Sequence, residues 1–340
     1  MPAALATACA ERGIKRFVQI SALGDPADGQ FIASKQDGDA RIASQLAEAV
    51  ILRPSLVYSP TGSYGGTSLL RSMAALPIVP LPGNGGQAIQ PIAAEDLASL
   101  VCTALEAAPI PNVAPIDVVG PAVMTLRDYL LAIRSWLGIR DQRLIQVPTL
   151  LTAIGARLGE WSRRGPLGLT MWRMLQRGNV GGPESLPQLD RAFGLRPRSL
   201  TTVLASAPAS SADRWHARLY LLSPLLRIVL ALTWIASGIV GLLLPTDAVD
   251  AFNHAAGLDA EARRWLALAM SVADILLGLW LLLTRRPTAV LSLMLIFVLG
   301  YTLVIGWLLP QFWLDPFGGL LKNAVIAVAI LVAMAMADRS

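Results

Sequence analysis

Apolar and polar positions along the chain follow two regimes. Up to residue 205, short apolar runs alternate with helix-spaced ones; from about Leu221 the chain is almost continuously apolar. In the first regime Pro2–Glu11 is rich in Ala and Leu and is followed by Gly13, which predicts a helix. Arg16–Ile20 and residues 49–53 read as short buried strands, the second stopped by Pro54. Between them, the turn-rich stretch 21–26 leads into a predicted helix over 34–49, capped by Ser34 and weakened by Gly38. A helix over 67–75 and a Pro/Gly-rich connection over 76–86 follow. Residues 93–107 place Leu97, Leu100, Val101 and Leu105 on one helical face. A third strand falls at 116–119. Thr125 then caps a helix to Leu137, with Gly138 as its left-handed terminator. Strands alternating with helices through short links predict an α/β layer with a parallel sheet.

The second regime predicts a transmembrane block. Residues 228–246 are uncharged, 265–284 carry only Asp274, 287–314 are uncharged, and 316–337 carry only Lys322. Each stretch is close to the roughly 20 residues that cross a hydrocarbon core. Four spans result, at about 225–244, 265–284, 289–309 and 318–337. The expected organisation is an incomplete Rossmann-like α/β domain over 1–205, a linker over 206–220 and an all-α four-helix transmembrane bundle over 221–340.

Charge gives the block an orientation. Residues 145–215 hold nine Lys/Arg against four Asp/Glu, which accounts for the whole formal charge of +5. Basic residues beside a span face the cytoplasm and meet anionic headgroups. These arginines lie scattered among Leu, Trp and Pro, so nucleic acid is not the expected partner. Arg214, Arg218 and Arg227 precede span 1, and Arg285 and Arg286 separate spans 2 and 3. Both termini are therefore expected in the cytoplasm of an inner-membrane protein. The 245–264 loop, with Asp247, Asp250, Asp259 and Glu261, is expected outside, although Arg263 and Arg264 run against the rule. Trp265, Trp307, Trp313 and Phe317 read as interface anchors, with His254 in the outer loop. Helices over 150–161 and 168–176 carry Arg157, Arg163, Arg164, Arg173 and Arg177 with Trp161 and Trp172. This pattern suits either a membrane surface or packing on the α/β core.

The candidate chemistry is sparse. Cys9, Cys102, His216 and His254 show neither zinc spacing nor a disulfide framework, and no metal site is expected. Met1 to Ala10 lacks the basic start of a signal peptide. Asp274 falls mid-span, where a carboxylate is costly and marks a functional candidate. Lys322 lies near the outer end of span 4, either reaching toward Asp274 or snorkelling to the interface.

Several ordered blocks over 3–135 resemble the atypical short-chain dehydrogenase/reductase (SDR) superfamily. They are Val18-Gln19-Ile20-Ser21-Ala22-Leu23-Gly24, Ser34-Lys35, Ile51-Leu52-Arg53-Pro54-Ser55-Leu56-Val57-Tyr58, Gln90-Pro91-Ile92-Ala93-Ala94-Glu95-Asp96-Leu97-Ala98, Val119-Gly120-Pro121 and Thr125-Leu126-Arg127. The nearest flavour is that of NAD(P)-binding proteins related to an accessory subunit of respiratory complex I. The resemblance implies an NAD(P) cofactor, a substrate-side hydroxyl at Ser21, a ribose-binding Lys35, and Pro54, Ser55 and Leu56 beside the nicotinamide. Where the family places Tyr-x-x-x-Lys, this chain has Phe31-Ile32-Ala33-Ser34-Lys35. Phenylalanine has no proton to transfer, so ordinary carbonyl reduction by that residue is not expected. The family's Gly-rich pyrophosphate turn is also absent, and Gly83-Asn84-Gly85-Gly86, flanked by Pro, reads as a plain turn. The chain opens where the family is already past its fourth strand. The leading expectation is that Met1 is an interior residue of a longer reading frame; the alternatives are a partner covering the strand edge or a degenerate half-domain.

Trp234-Ile235-Ala236-Ser237-Gly238 and Asp315-Pro316-Phe317-Gly318-Gly319-Leu320-Leu321-Lys322-Asn323 resemble the DoxX-like four-helix membrane family, members of which occur fused behind SDR-like domains. The combination implies a membrane-anchored SDR-like oxidoreductase or NAD(P)-binding protein. Its expected partners are the bilayer and a membrane redox complex or a second copy. Two alternatives stand beside it: a non-enzymatic membrane protein whose α/β part serves assembly or docking, and a proton or small-solute path through Asp274.

Overall fold

The computed structural model describes residues 2–14, 16–46, 48–106, 115–162, 168–243, 257, 259–314 and 319–337. The chain divides into two units, Met1–Tyr220 and Leu221–Ser340.

The first unit opens with α1 (Pro2–Glu11), β1 (Arg16–Ile20), α2 (Gln30–Gln45) and β2 (Glu48–Pro54). Then come β3 (Val57–Tyr58), α3 (Gly66–Ala75), β4 (Val79–Pro82), β5 (Ala88–Ile89), β6 (Ile92–Ala93) and α4 (Ala94–Glu106). Next are β7 (Ile116–Val118), β8 (Met124–Thr125), α5 (Leu126–Trp136) and β9 (Leu144–Val147). Finally come α6 (Thr149–Ser162), α7 (Leu169–Arg177), α8 (Ser185–Phe193) and α9 (Leu200–Ser206). β1, β2 and β7 form a parallel sheet in that order, with Val18 opposite Val50 and Leu52 opposite Ile116. This is the expected α/β layer. One core lies between that sheet and α4, built from Val50, Leu52, Leu97, Leu100, Ile116 and Val118. A second gathers Leu126, Tyr129, Leu130 and Ile133 of α5 against Leu70 and Ala74 of α3 and Val203 of α9.

Two local expectations are corrected. α2 begins at Gln30, ahead of Ser34. The Asp25 side chain caps a 3-10 turn over Pro26–Asp28 in a reciprocal capping box, and Gly29, at φ 151°, swings the chain into the helix. Ser34 is thus an interior residue whose hydroxyl donates to the Phe31 carbonyl (2.9 Å). The 76–86 connection contains a strand, β4, paired in parallel with β9 from Val79–Leu144 to Pro82–Val147. No local pattern announces a pairing so distant in sequence.

The second unit is helical: α10 (Ser211–Leu243), α11 (Ala260–Leu283), α12 (Thr288–Leu308) and α13 (Leu321–Ala337). α10 starts at Ser211 and so takes in most of the expected linker. Ser211–Leu243, Arg264–Leu283 and Thr288–Leu308 are long and apolar enough to cross a membrane; α13, with 17 residues, is shorter. Leu230, Trp234, Leu277, Leu281, Met294, Val298 and Ile330 form the interior. α10 and α11 meet through glycines. A Cβ on Gly238 would collide with the Ser271 carbonyl, and one on Gly278 with the Ala231 carbonyl and Ile235. The Arg227 guanidinium donates to the Leu281 and Thr284 carbonyls, covering the C-terminus of α11. Among the expected features, Arg163, Arg164, Asp247, Asp250, His254, Asp315, Pro316, Phe317 and Gly318 lie outside the described residues.

Candidate functional site

In open parallel sheets, ligands bind beyond the carboxyl ends of the strands. Here those ends carry Ser21 after β1, Pro54 and Ser55 at the end of β2, and Val119 and Gly120 after β7. The sheet ladder continues past the strands. The Ser21 amide donates to the Leu52 carbonyl (2.7 Å), that of Leu23 to Pro54 (3.0 Å) and that of Ser55 to Val118 (3.0 Å). Ser21, Pro54 and Ser55 are thereby fixed along one edge. Leu56 follows them, its carbonyl accepting from the Ile92 amide (2.9 Å).

The hydroxyls at this edge are committed within the protein. Ser21 is buried and donates to Asp39 Oδ2 (2.8 Å), which also accepts from Arg53 Nε (3.1 Å). Asp39 Oδ1, also buried, has no hydrogen-bond partner among the described residues. Asp117, opposite Arg53 in the β2–β7 register, has its carboxyl pushed up by burial, against Arg53 and the Gly182 amide. Ser55 Oγ donates to the Gln90 carbonyl (2.5 Å). Gln90 joins three loops: its amide nitrogen donates to the Gly120 carbonyl (2.8 Å) and its side-chain oxygen accepts from the Gly181 amide (3.1 Å). Asp39 and Gln90 were not among the residues singled out by role. Asp39 lies one turn beyond Lys35 on α2, a spacing that hints at a shared face; no local pattern pairs it with Ser21.

The expected proton-donor position is occupied by Phe31, 57% exposed on the first turn of α2. Lys35 lies one turn on, its ammonium 5.5 Å from the Phe31 ring centroid and 3.5 Å from the Ile20 carbonyl. Lys35 is thus held at the end of β1, next in the chain to Ser21. Phe31 also lines a cavity of about 340 Å³ with Glu160, Leu169, Thr170, Met171 and Met174. α7 is held over this region by Arg177, which donates to the buried Asp28 carboxylate (2.9 Å). The structure therefore gathers Ser21, Phe31, Lys35, Pro54, Ser55 and Leu56 around the strand ends.

NAD(P), the cofactor implied by the resemblance, fits only part of this edge. The resemblance assigns Lys35 to the ribose and Pro54, Ser55 and Leu56 to the nicotinamide side of this edge. Among the described residues, no glycine-rich turn joins a strand end to a helix N-terminus to cradle a pyrophosphate. Gly24, after β1, sits against the Ile32 side chain.

The membrane unit holds a separate polar centre. Asp274, 8% exposed in α11, accepts from Ser237 Oγ of α10 (3.0 Å), while its Oδ1 has no hydrogen-bond partner among the described residues. Lys322 is exposed on the first turn of α13, and among the described residues it makes no ion pair with Asp274. Of the two readings of Lys322, the reach toward Asp274 is not made among the described residues, where Asp274 is bonded to Ser237. Nearby, Tyr301 donates to the Met270 sulfur (3.2 Å) beside an apolar cavity of about 710 Å³ that Ser271, Phe297 and Gly300 also line.

No curated protein matches the chain. Solved structures similar to it include MoeE5 in complex with UDP-glucose and NAD (15% identity, TM-score 0.43, 65% of this chain and 70% of that one). The UDP-glucuronic acid 4-epimerase of Bacillus cereus, with UDP-glucuronic acid and NAD, is 14% identical at TM-score 0.44 over 65% of this chain and 66% of that one. The UDP-glucose 4-epimerase of Thermotoga maritima, with UDP-glucose, is 13% identical at TM-score 0.44 over 65% and 69%. Residues 231–331, which take in Asp274, Tyr301 and the α10–α11 glycine contacts from Ala231 to Gly278, match the DoxX-like family.

Proposed function

We propose that this protein is a membrane-anchored SDR-like module whose α/β unit binds NAD(P) weakly at its strand ends and does not carry out ordinary carbonyl reduction. One observation carries this reading: among the described residues, the Ser21 and Ser55 hydroxyls at this edge are committed within the protein. Phe31 stands at the donor position, Ser21 is bonded to Asp39, and Ser55 to the Gln90 carbonyl. Lys35 is the group left to meet a ribose, and Pro54, Ser55 and Leu56 supply the wall beside it. The bound cofactor would supply a hydride donor or acceptor. The chain's own residues bind and orient, without a tyrosine hydroxyl at the Phe31 position.

The DoxX-like unit is the anchor. By the basic flanks of its spans it lies in the inner membrane, crosses four times and keeps both termini in the cytoplasm, with a redox complex or a second copy as its partner. NADPH titration of the full chain in detergent, followed by nicotinamide fluorescence, tests the reading. Weak saturable binding that Lys35→Ala weakens further is expected, without aldehyde or ketone reduction. Carbonyl turnover would overturn it. Complete absence of binding would favour the α/β unit as an assembly module, a reading that the internal bonding of Ser21 to Asp39 also suits.

A further inference from the structure

Helix α6 packs the opposite way round from a core helix. Its small residues turn inward: Ala156 is fully buried, and Thr152, Ala153 and Gly159 are partly so. Its large apolar residues turn outward. Leu150 is 70% exposed, Leu158 60% and Trp161 85%, and Leu151 and Ile154 are exposed between them. At about 100° per residue these five positions fall within one stripe about 100° wide. Arg157 is exposed at its margin. Glu160 is used locally, its carboxylate accepting from the Leu169 amide (3.3 Å) at the start of α7. The second expected amphipathic helix, α7, does the reverse and buries Trp172.

We infer that α6 lies in the membrane interface, with Leu150, Leu151, Ile154, Leu158 and Trp161 among the lipid headgroups and upper acyl chains. Three observations select lipid over a protein partner. The same chain enters a bilayer through α10, so a lipid surface is always at hand. Of the nine Lys/Arg in the stretch 145–215, Arg177 and Arg198 pair with Asp28 and Asp96, but Arg157 is exposed beside the stripe and suits an anionic leaflet. The stripe also combines aliphatic residues with a terminal Trp and a flanking Arg, the composition of an interfacial helix. The consequence is a second attachment, which holds the α/β unit near the lipid surface and sets the Phe31 cavity, partly lined by Glu160 of this helix, close to the headgroups.

The test uses the full chain in vesicles of phosphatidylethanolamine and phosphatidylglycerol. On a Cys9→Ser, Cys102→Ser background, spin labels are placed at Ile154→Cys and Leu158→Cys on the stripe, and at Arg157→Cys on its margin. Collision rates are then measured with oxygen, which concentrates in lipid, and with a neutral nickel chelate, which stays in water. At 154 and 158 the oxygen-to-nickel ratio should be several-fold higher than at 157, and it should fall when phosphatidylcholine replaces the anionic lipid. Nickel-dominated collisions at both stripe positions would place them in water and overturn the inference. Low rates with both reagents would place them against protein, the membrane unit or a partner, and would overturn it equally.

Discussion

At the scale of single residues, the α/β unit is held by buried charges whose partners come from far along the chain. Arg134, fully buried in α5, donates to the carbonyls of Ala74, Leu76, Pro77 and Asp141 and to the Asp141 carboxylate. Truncating it would orphan several buried acceptors at once, each costing about 1–3 kcal/mol. Arg134→Ala should therefore lower stability by about 3–5 kcal/mol, read as a large drop in the melting temperature of the full chain in detergent. Arg71 is similarly buried. It lies 4.9 Å over the Trp136 ring and pairs with Asp213 (3.3 Å), which is also bonded by the Ser210 hydroxyl and amide. Burial pushes the Asp213 carboxyl up, but the Ser210 bonds and Arg71 outweigh it and the net shift is downward. A depressed carboxyl stabilises the fold above its unfolded pKa of about 3.9 and loses that contribution as pH falls through the lower folded value. Between pH 5 and 3 the melting temperature should therefore fall less for Asp213→Asn than for the parent chain; an equal fall would remove this pair from the acid response.

At the scale of elements, close backbone approach decides the membrane unit. α10 and α11 touch where Gly238 faces the Ser271 carbonyl and Gly278 faces that of Ala231. Gly238→Leu should force the helices apart, break the Ser237–Asp274 hydrogen bond and cost at least about 2 kcal/mol. The check is thermal stability in detergent. A fully stable variant would mean that the contact is not close. In the α/β unit, the capping box at Asp25 and Asp28 sets where α2 begins, and hence the placing of Phe31 and Lys35 in its first two turns. Asp28→Ala removes the Asp28 half of the capping box and the Arg177 pair. It should therefore loosen α2 and α7 together, seen as faster hydrogen exchange in both segments.

At the scale of the whole molecule, hydropathy alone shows that the chain ends in membrane helices, and alternation alone shows that it begins as α/β. Both follow from local rules: some 20 uncharged residues cross a bilayer, and short apolar runs between amphipathic helices stack as a parallel sheet. β1 and the cap at Thr125 were legible for the same reason, because each depends on neighbours within a few residues. The reading of Phe31 at an expected proton-donor position came from the resemblance to the SDR superfamily and not from a local pattern. The rest lay in contacts that bring distant segments together. The pairing of β4 with β9, the locking of Ser21 by Asp39 and Arg53 and the Ser237 partner of Asp274 join residues that no local period relates, and the α6 stripe, though periodic, does not say by itself that it faces outward. Sequence thus determined the division into an α/β part and an apolar helical part and most of the helices, because these rest on local periods; tertiary structure decided which polar groups are paired and which apolar ones are left facing out, because those depend on contacts between distant segments.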